Sequence, residues 1–246
     1  MKILVLQHLT VETPGSLLEL FKADGAVWDT IQLDAGDTIP DLAPYTMMTV
    51  MGGPQDVWQE DEYPWLRPEK AAIREFVVNM KRPYLGLCLG HQLLAEAVGG
   101  RVGKGANPEV GVMTASKTDA GHHDPLLRGI ADPMTVLQWH GAEVQALPDN
   151  TVVLASSDAC PIQAFRYGTC AYGLQFHVEI TQATVDDWTL IPAYASALDA
   201  ALGAGAAGRV RRDVCGRLSE FNNDAATIYR NFQSTWPSSE AQGSAA

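Results

Sequence analysis

The sequence is short of positive charge: 17 lysines and arginines stand against 29 aspartates and glutamates, for a formal net charge of −12 over 246 residues. A field of that sign repels phosphate backbones and anionic headgroups, which argues against a nucleic-acid or membrane-surface protein. Long apolar runs are missing too. None approaches the roughly 20 residues that span a bilayer, and Met1-Lys2 passes directly into Ile3-Leu4-Val5-Leu6 with no cleavage signal, so a cytoplasmic protein is expected. Cysteine is sparse: Cys88, Cys160, Cys170 and Cys215 are widely spaced and form no C-x-x-C pair, which points to free thiols rather than a disulfide framework. Aromatics make up only 8% of the chain. Its tryptophans, Trp28, Trp58, Trp65, Trp139, Trp188 and Trp236, read as core or rim rather than as a base-stacking platform. Gly52-Gly53-Pro54 is followed by no Walker lysine and is not part of a G-x-G-x-x-G, which removes a phosphate-cradling role for it. No internal repeat is visible.

What is present fits one α/β domain with a tail, since 46% apolar residues at this length can fill one large core. Ile3 to Leu6, Val27 to Leu33 and Thr46 to Met51 read as strands, with a helix beginning at Ser16-Leu17 between the first two. Ala72, Ile73, Phe76, Val77 and Met80 recur at three and four residues and predict an amphipathic helix over Trp65 to Met80. Beyond Gly99-Gly100 come shorter β-like runs, Val110 to Ala115, Met134 to Gln138, Thr151 to Ser156, Ile162 to Tyr167 and Ala171 to Phe176, expected partly to extend the sheet and partly to form an antiparallel edge. From Thr181 the chain is alanine-rich and helical, and 237–246 reads as a disordered tail.

Three stretches carry chemistry. In Gly86-Leu87-Cys88-Leu89-Gly90 a strand-like run ends in a cysteine flanked by glycines, and a helical pattern starts at once with Gln92-Leu93-Leu94. That is the spacing of a nucleophile elbow, whose turn leaves no room for side chains at the flanking positions, and the N–H groups at the start of the following helix favour a thiolate there. A buried, inert cysteine beside a glycine turn fits the same five residues. In His177-Val178-Glu179 the i, i+2 spacing of a strand lets a carboxylate hold an imidazole, completing a Cys/His/acid set for acyl transfer. H-x-E alone is also an ordinary strand-end pair or a metal fragment, though here it lacks the companion C-x-x-C. Gly52-Gly53-Pro54, at the end of a strand, brings backbone N–H groups up to a ligand, so Gly53 and Leu89 are candidate oxyanion donors; taken alone it is a turn. His122-His123-Asp124 reads as a solvated loop.

Met51-Gly-Gly-Pro, Gly86-Leu-Cys-Leu-Gly-His-Gln-Leu-Leu-Ala and Gly173-Leu-Gln-Phe-His-Val-Glu, in this order, resemble the class I glutamine amidotransferases, especially stand-alone members similar to the amidotransferase domain of GMP synthetase. The resemblance runs from about Ile3 to Thr181 and takes in Pro64-Trp65-Leu66, Trp139-His140-Gly141 and Leu154-Ala155-Ser156-Ser157. It implies a flavodoxin-like three-layer α/β/α fold with a mostly parallel central sheet and a small antiparallel edge. The domain would cover 1–181, with 182–236 a helical extension packed on it. It further implies a Cys88/His177/Glu179 triad, an oxyanion hole from Gly53 and Leu89, and contacts to glutamine or another γ-glutamyl compound from Gly52, Gln92, His140, Gly141 and Ala142, with no metal or organic cofactor. Where many members have proline, this chain has Val178. No glycine-rich ATP-pyrophosphatase motif follows Thr181, so an ammonia acceptor would lie on a partner, a synthetase or other acceptor enzyme. Relatives of this kind gain competence when a partner orders the strand near Gly52-Gly53, which implies weak glutamine hydrolysis by the isolated chain. The same triad also serves relatives that hydrolyse γ-glutamyl peptides, for which a more open loop around His140 would speak. A non-catalytic regulatory protein is the remaining alternative.

Overall fold

Apolar runs too short for helices and too continuous for half-exposed strands set up the first half of the chain. β1 (Lys2–Gln7) is buried from Ile3 onward, β3 (Met47–Val50) and β4 (Tyr84–Leu87) are buried throughout, and β2 (Val27–Gln32), half-exposed along its length, forms an edge. In the computed structural model, which describes residues 1–236, these strands pair in parallel in the order β2-β1-β3-β4. Strands apolar on both sides need cover on both sides. Ile3 and Val5 face a cluster with Leu17 and Phe21 of α1 (Leu17–Ala23), whereas Leu4 and Leu6 face another with Leu66 and Ile73 of α2 (Leu66–Arg74) and Leu93 of α3 (Leu89–Ala97). The helix expected over Trp65 to Met80 loosens into a π-helical turn at Glu75–Asn79 and stops before Lys81, whose φ is 53°.

The second half corrects the expectation of a mostly parallel sheet with a small antiparallel edge. β9 (Ala171–Leu174) pairs in parallel with β4, but β8 (Ala164–Tyr167), β7 (Thr151–Ser156), β5 (Arg101–Lys117) and β6 (Met134–Ala146) follow in that order, each antiparallel to its neighbour. Among the described residues the nine-stranded sheet is therefore mixed, half parallel and half antiparallel. Connection length decides the direction. Only Gly168 to Cys170 join β8 to β9, too few residues for the crossover that a parallel neighbour requires. β5 and β6 also outrun the expected Val110–Ala115 and Met134–Gln138, because Gly103 pairs in register with Glu143, and Gly105 and Pro108 are absorbed by a register shift between Lys104 and Glu109 instead of ending the strand.

The C-terminal helices close the molecule at two places. α5 (Thr184–Thr189), α6 (Pro192–Leu202) and α7 (Ala207–Cys215) bury Val185, Trp188, Tyr194, Leu198, Val210 and Val214 against Val110, Leu137 and Trp139 of the β5–β6 hairpin. α8 (Leu218–Ser234) returns to α1, where Tyr229 packs 5.5 Å from Phe21 between ring centroids and donates its hydroxyl to Asp24 at 2.9 Å. The stretch read as a loop at His122-His123 is a single helical turn, α4 (Asp119–His123), capped by Thr118; His122 pairs with Asp132 at the surface. The expected disordered tail, 237–246, lies outside the described residues.

Candidate active site

Cys88 stands between the last residue of β4 and the first of α3 at φ 51°, ψ −103°. A side chain at positive φ costs roughly 1–3 kcal/mol and persists only where its surroundings over-determine it. Here the surroundings are backbone. A Cβ added at Gly86 would lie 2.4 Å from the Gly90 carbonyl oxygen, and one added at Gly90 would lie 2.2 Å from the Val50 carbonyl oxygen. Strand and helix thus approach more closely than any side chain allows, which forces the turn that lifts the cysteine out of the sheet. Gly90→Ala is accordingly expected to destabilise the protein by about 3 kcal/mol or more, or to prevent folding. A denaturation midpoint equal to wild type would remove this account of the elbow.

The His177-Val178-Glu179 motif is not in a strand as expected. β9 ends at Leu174, and His177 instead forms an isolated antiparallel bridge with Leu137 of β6, with N–H to O distances of 2.9 and 3.1 Å. The imidazole Nδ1 lies 2.6 Å from Glu179 Oε1, while Glu179 Oε2 accepts the Val178 N–H at 2.9 Å. Because the carboxylate can only accept, Nδ1 carries the hydrogen and Nε2 is left free of Glu179, and Cys88 lies near enough to the ring to act on its charge. Burial alone would lower the His177 pKa, but Glu179 and then Cys88 outweigh it and hold it well above the ordinary histidine value. Trp188 packs edge-on against the ring at 4.7 Å.

Cys88 opens into a cleft of about 370 Å³ that also touches Gly53, Gln92, His140, Gly141 and Ala142, so six of the residues singled out in the sequence share one cavity. Its far wall is helix α6, through Ala193, Tyr194 and Ala197. Among the described residues the N–H groups of Gly53 and Leu89 find no hydrogen-bond acceptor. Gly52 is not part of the lining; the space beside its Cα is taken by Glu12 Oε2 and His177 Cε1, 2.7 and 3.2 Å from where a Cβ would stand. The Gln92 amide nitrogen is engaged within the protein, donating to Ala142 O at 3.2 Å and Gln175 Oε1 at 3.0 Å. No loop surrounds His140: it sits within β6 opposite Glu109, and its Nδ1 donates to Ala142 O at 3.0 Å.

Glu109, His140 and Cys160 place one donor atom each within 4.8 Å of one another. Their chemistry is that of a hydrogen-bonded hub rather than a metal centre. Glu109 accepts from Ser157 Oγ at 2.8 Å and Gln163 Nε2 at 2.6 Å, and burial, with Glu109 and Glu143 nearby, pushes the Cys160 thiol up to about 12, which leaves it protonated.

Four buried polar residues around the site were not legible as a motif: His8, Glu12, Glu69 and Tyr194. Glu12, 2% exposed, accepts the Tyr194 hydroxyl at 2.5 Å, and burial raises its pKa against the opposing pull of His177. One signal pointed there. Gln7 and His8 are polar residues at the carboxyl end of a buried parallel strand, the place where α/β sheets bind ligands.

A family model for glutamine amidotransferase class-I matches residues 20–190. The glutamine amidotransferase-like protein YfeJ of Salmonella typhimurium is 33% identical over 76% of this chain and 79% of that protein. A subunit of the glutamine-hydrolyzing GMP synthase of Methanococcoides burtonii is 38% identical over 44% of this chain, and the match spans 57% of that relative. Among solved structures, a glutamine amidotransferase of Thermotoga maritima superposes with a TM-score of 0.84 at 25% identity, covering 94% of this chain and 97% of that one. No helix among the described residues is long and apolar enough to cross a membrane.

Proposed function

As this chain belongs to the class-I glutamine amidotransferases, we propose that it hydrolyses the side-chain amide of glutamine through a γ-glutamyl thioester on Cys88. The observation that carries the reading is the His177 ring held by Glu179 at 2.6 Å and placed near Cys88, which opens into a cleft bordered by Gly53. The Cys88 thiol gives its proton to His177 Nε2, and the thiolate sulfur attacks the amide carbon. Charge on the amide oxygen is met by the N–H groups of Gly53 and Leu89, and His177 passes its Nε2 proton to the departing nitrogen, so that ammonia leaves. Water then gives a proton to His177 and attacks the thioester carbon, expelling the thiolate and glutamate. Glu179 keeps the ring in one tautomer throughout. Every step uses groups of this chain.

The chemistry is assigned to residues 1–181 and the outer wall of the cleft to the helical extension 182–236. Free thiols suit a cytoplasmic setting, and the likeness to GMP synthase subunits supports delivery of ammonia to an acceptor enzyme as partner. The test is incubation of the purified chain with glutamine: equimolar glutamate and ammonia are expected, together with covalent labelling of Cys88 by a diazoketone analogue of glutamine. If neither appears, the reading fails.

One feature favours a second substrate class at the same centre. The α6 wall of the cleft is built from alanines and Tyr194, with Pro108, Val110 and Trp139 across from them, an apolar surface with room for a leaving group larger than ammonia. For a γ-glutamyl anilide, Ala197→Phe is expected to raise KM at least about tenfold while glutamine turnover stays within about twofold. Equal effects on both substrates would remove the leaving-group pocket.

A further inference from the structure

We propose that His8 and Glu69 lock the Gly52–Gly53 peptide with its N–H turned into the cleft, so that the oxyanion hole is already assembled in the isolated chain; the proposal rests on the amidotransferase reading above. His8 follows β1 directly and is fully buried, as is Glu69 of α2. The ring bridges two acceptors. Its Nδ1 lies 2.7 Å from the Gly52 carbonyl oxygen and its Nε2 2.9 Å from Glu69 Oε1. Neither a carbonyl nor a carboxylate can donate, so both ring nitrogens carry hydrogen and the ring sits as a cation between them. Burial works against that charge, but Glu69, then the Gly52 carbonyl and Glu12, outweigh it and raise the His8 pKa. Trp65 stacks on the ring at 5.3 Å between centroids with an 18° tilt, which fixes its plane.

The bonded carbonyl belongs to the same peptide unit as the Gly53 N–H. Among the described residues the one cis peptide is Asp132–Pro133, so Gly52–Gly53 is trans, and in a trans peptide the N–H points opposite to the carbonyl. With the oxygen drawn toward His8, the N–H is directed away from it. Gly53 borders the cleft with Cys88 and His8 does not, so the N–H is directed to the side where the oxyanion would form. Two adjacent glycines are the residues for which a peptide flip is easiest. A flip here would break a charge-assisted hydrogen bond and turn a carbonyl oxygen toward the developing negative charge. His8 and Glu69 are therefore positioning residues that act through Gly53, and competence does not wait for a partner to order this strand.

Three proteins compared on glutamine test this: wild type, His8→Leu and His8→Asn, the last keeping a donor near the Nδ1 position. Losing one oriented donor costs roughly 10²-fold in kcat. His8→Leu is expected to lower kcat by about that factor with KM within about threefold, whereas His8→Asn recovers at least a tenth of wild-type kcat. Alkylation of Cys88 by iodoacetamide, which builds no oxyanion, should proceed at the wild-type rate in all three. Glu69→Gln should fall between wild type and His8→Leu. The lock is overturned if His8→Leu keeps kcat within about threefold of wild type. It is equally overturned if His8→Leu loses alkylation and turnover together and His8→Asn restores neither, or if the isolated wild-type chain alkylates normally yet hydrolyses glutamine only when a partner is added. A wild-type chain that neither hydrolyses glutamine nor takes up a glutamine-analogue label overturns the amidotransferase reading itself.

Discussion

Replacing Cys88 with serine or alanine is expected to reduce glutamate release from glutamine by at least about 10⁴-fold, the scale on which single members of a catalytic triad act. Both variants should fold. The 51° φ at this position strains serine and alanine as much as cysteine, so the substitutions add no backbone penalty, and the side chain is small. Cys160 and Cys170 are buried and their thiols pushed upward in pKa, while Cys215 is exposed on α7 away from the cleft lining. None of the three can stand in, and serine or alanine at each should leave turnover within about threefold of wild type. Steady-state glutamate release by the four single variants decides the matter. Near-normal turnover by Cys88→Ala would falsify the thioester mechanism.

The second large effect is expected at His177, and its size relative to Glu179 separates their roles. His177→Ala removes the group that moves protons in both half-reactions and should lower kcat by about 10³- to 10⁴-fold. Glu179→Gln keeps an acceptor near Nδ1 but loses the charge that holds the imidazolium, and supporting groups of that kind commonly account for about 10- to 100-fold. The pair also links stability to pH. The folded pKa of His177 is raised, so the pair's contribution is fully present below about pH 6.5, the value of an unfolded histidine, and is lost as pH rises through the folded value. His177→Gln should therefore flatten the alkaline fall in stability seen by denaturation at successive pH values. Equal and complete loss of activity in well-folded His177→Ala and Glu179→Gln would instead assign Glu179 a direct part in proton transfer.

The parts of the site visible in the sequence are those whose constraint is local. Gly86 and Gly90 lie two residues either side of Cys88, and the clash that requires them involves the adjacent helix and strand. The parallel strands β1, β3 and β4 showed as unbroken apolar runs because each is covered on both faces. Long-range partners left no such trace. His8 and Glu69 meet across 61 positions, and Glu12 and Tyr194 across 182, each a single polar residue in an otherwise ordinary stretch. The same limit explains β5 and β6. Gly103, Gly105, Pro108 and Gly141 have the composition of turns, yet the two long strands pair through them because each supplies the other's hydrogen bonds. A loop around His140 did not materialise for the same reason, whereas the antiparallel return from β8 to β9 was already written in the three residues, Gly168 to Cys170, that separate the two β-like runs.

The parallel pairing of β4 with β9 has a bearing on the life of the chain during synthesis. β4 delivers Cys88 early, but the strand beside it is supplied by residues 171–174, and the base and its carboxylate arrive only with His177 and Glu179. The antiparallel half of the sheet is built from residues between β4 and β9, and Leu137, the bridge partner of His177, lies within that half. A nascent polypeptide halted anywhere before His177 therefore carries a nucleophile with no base. Truncated translation products and fragments cleaved in the middle of the chain should be inert toward glutamine, and a split-protein reporter with its break between β6 and β7, at residues 147–150, would regain the thioester chemistry only when both halves reassemble.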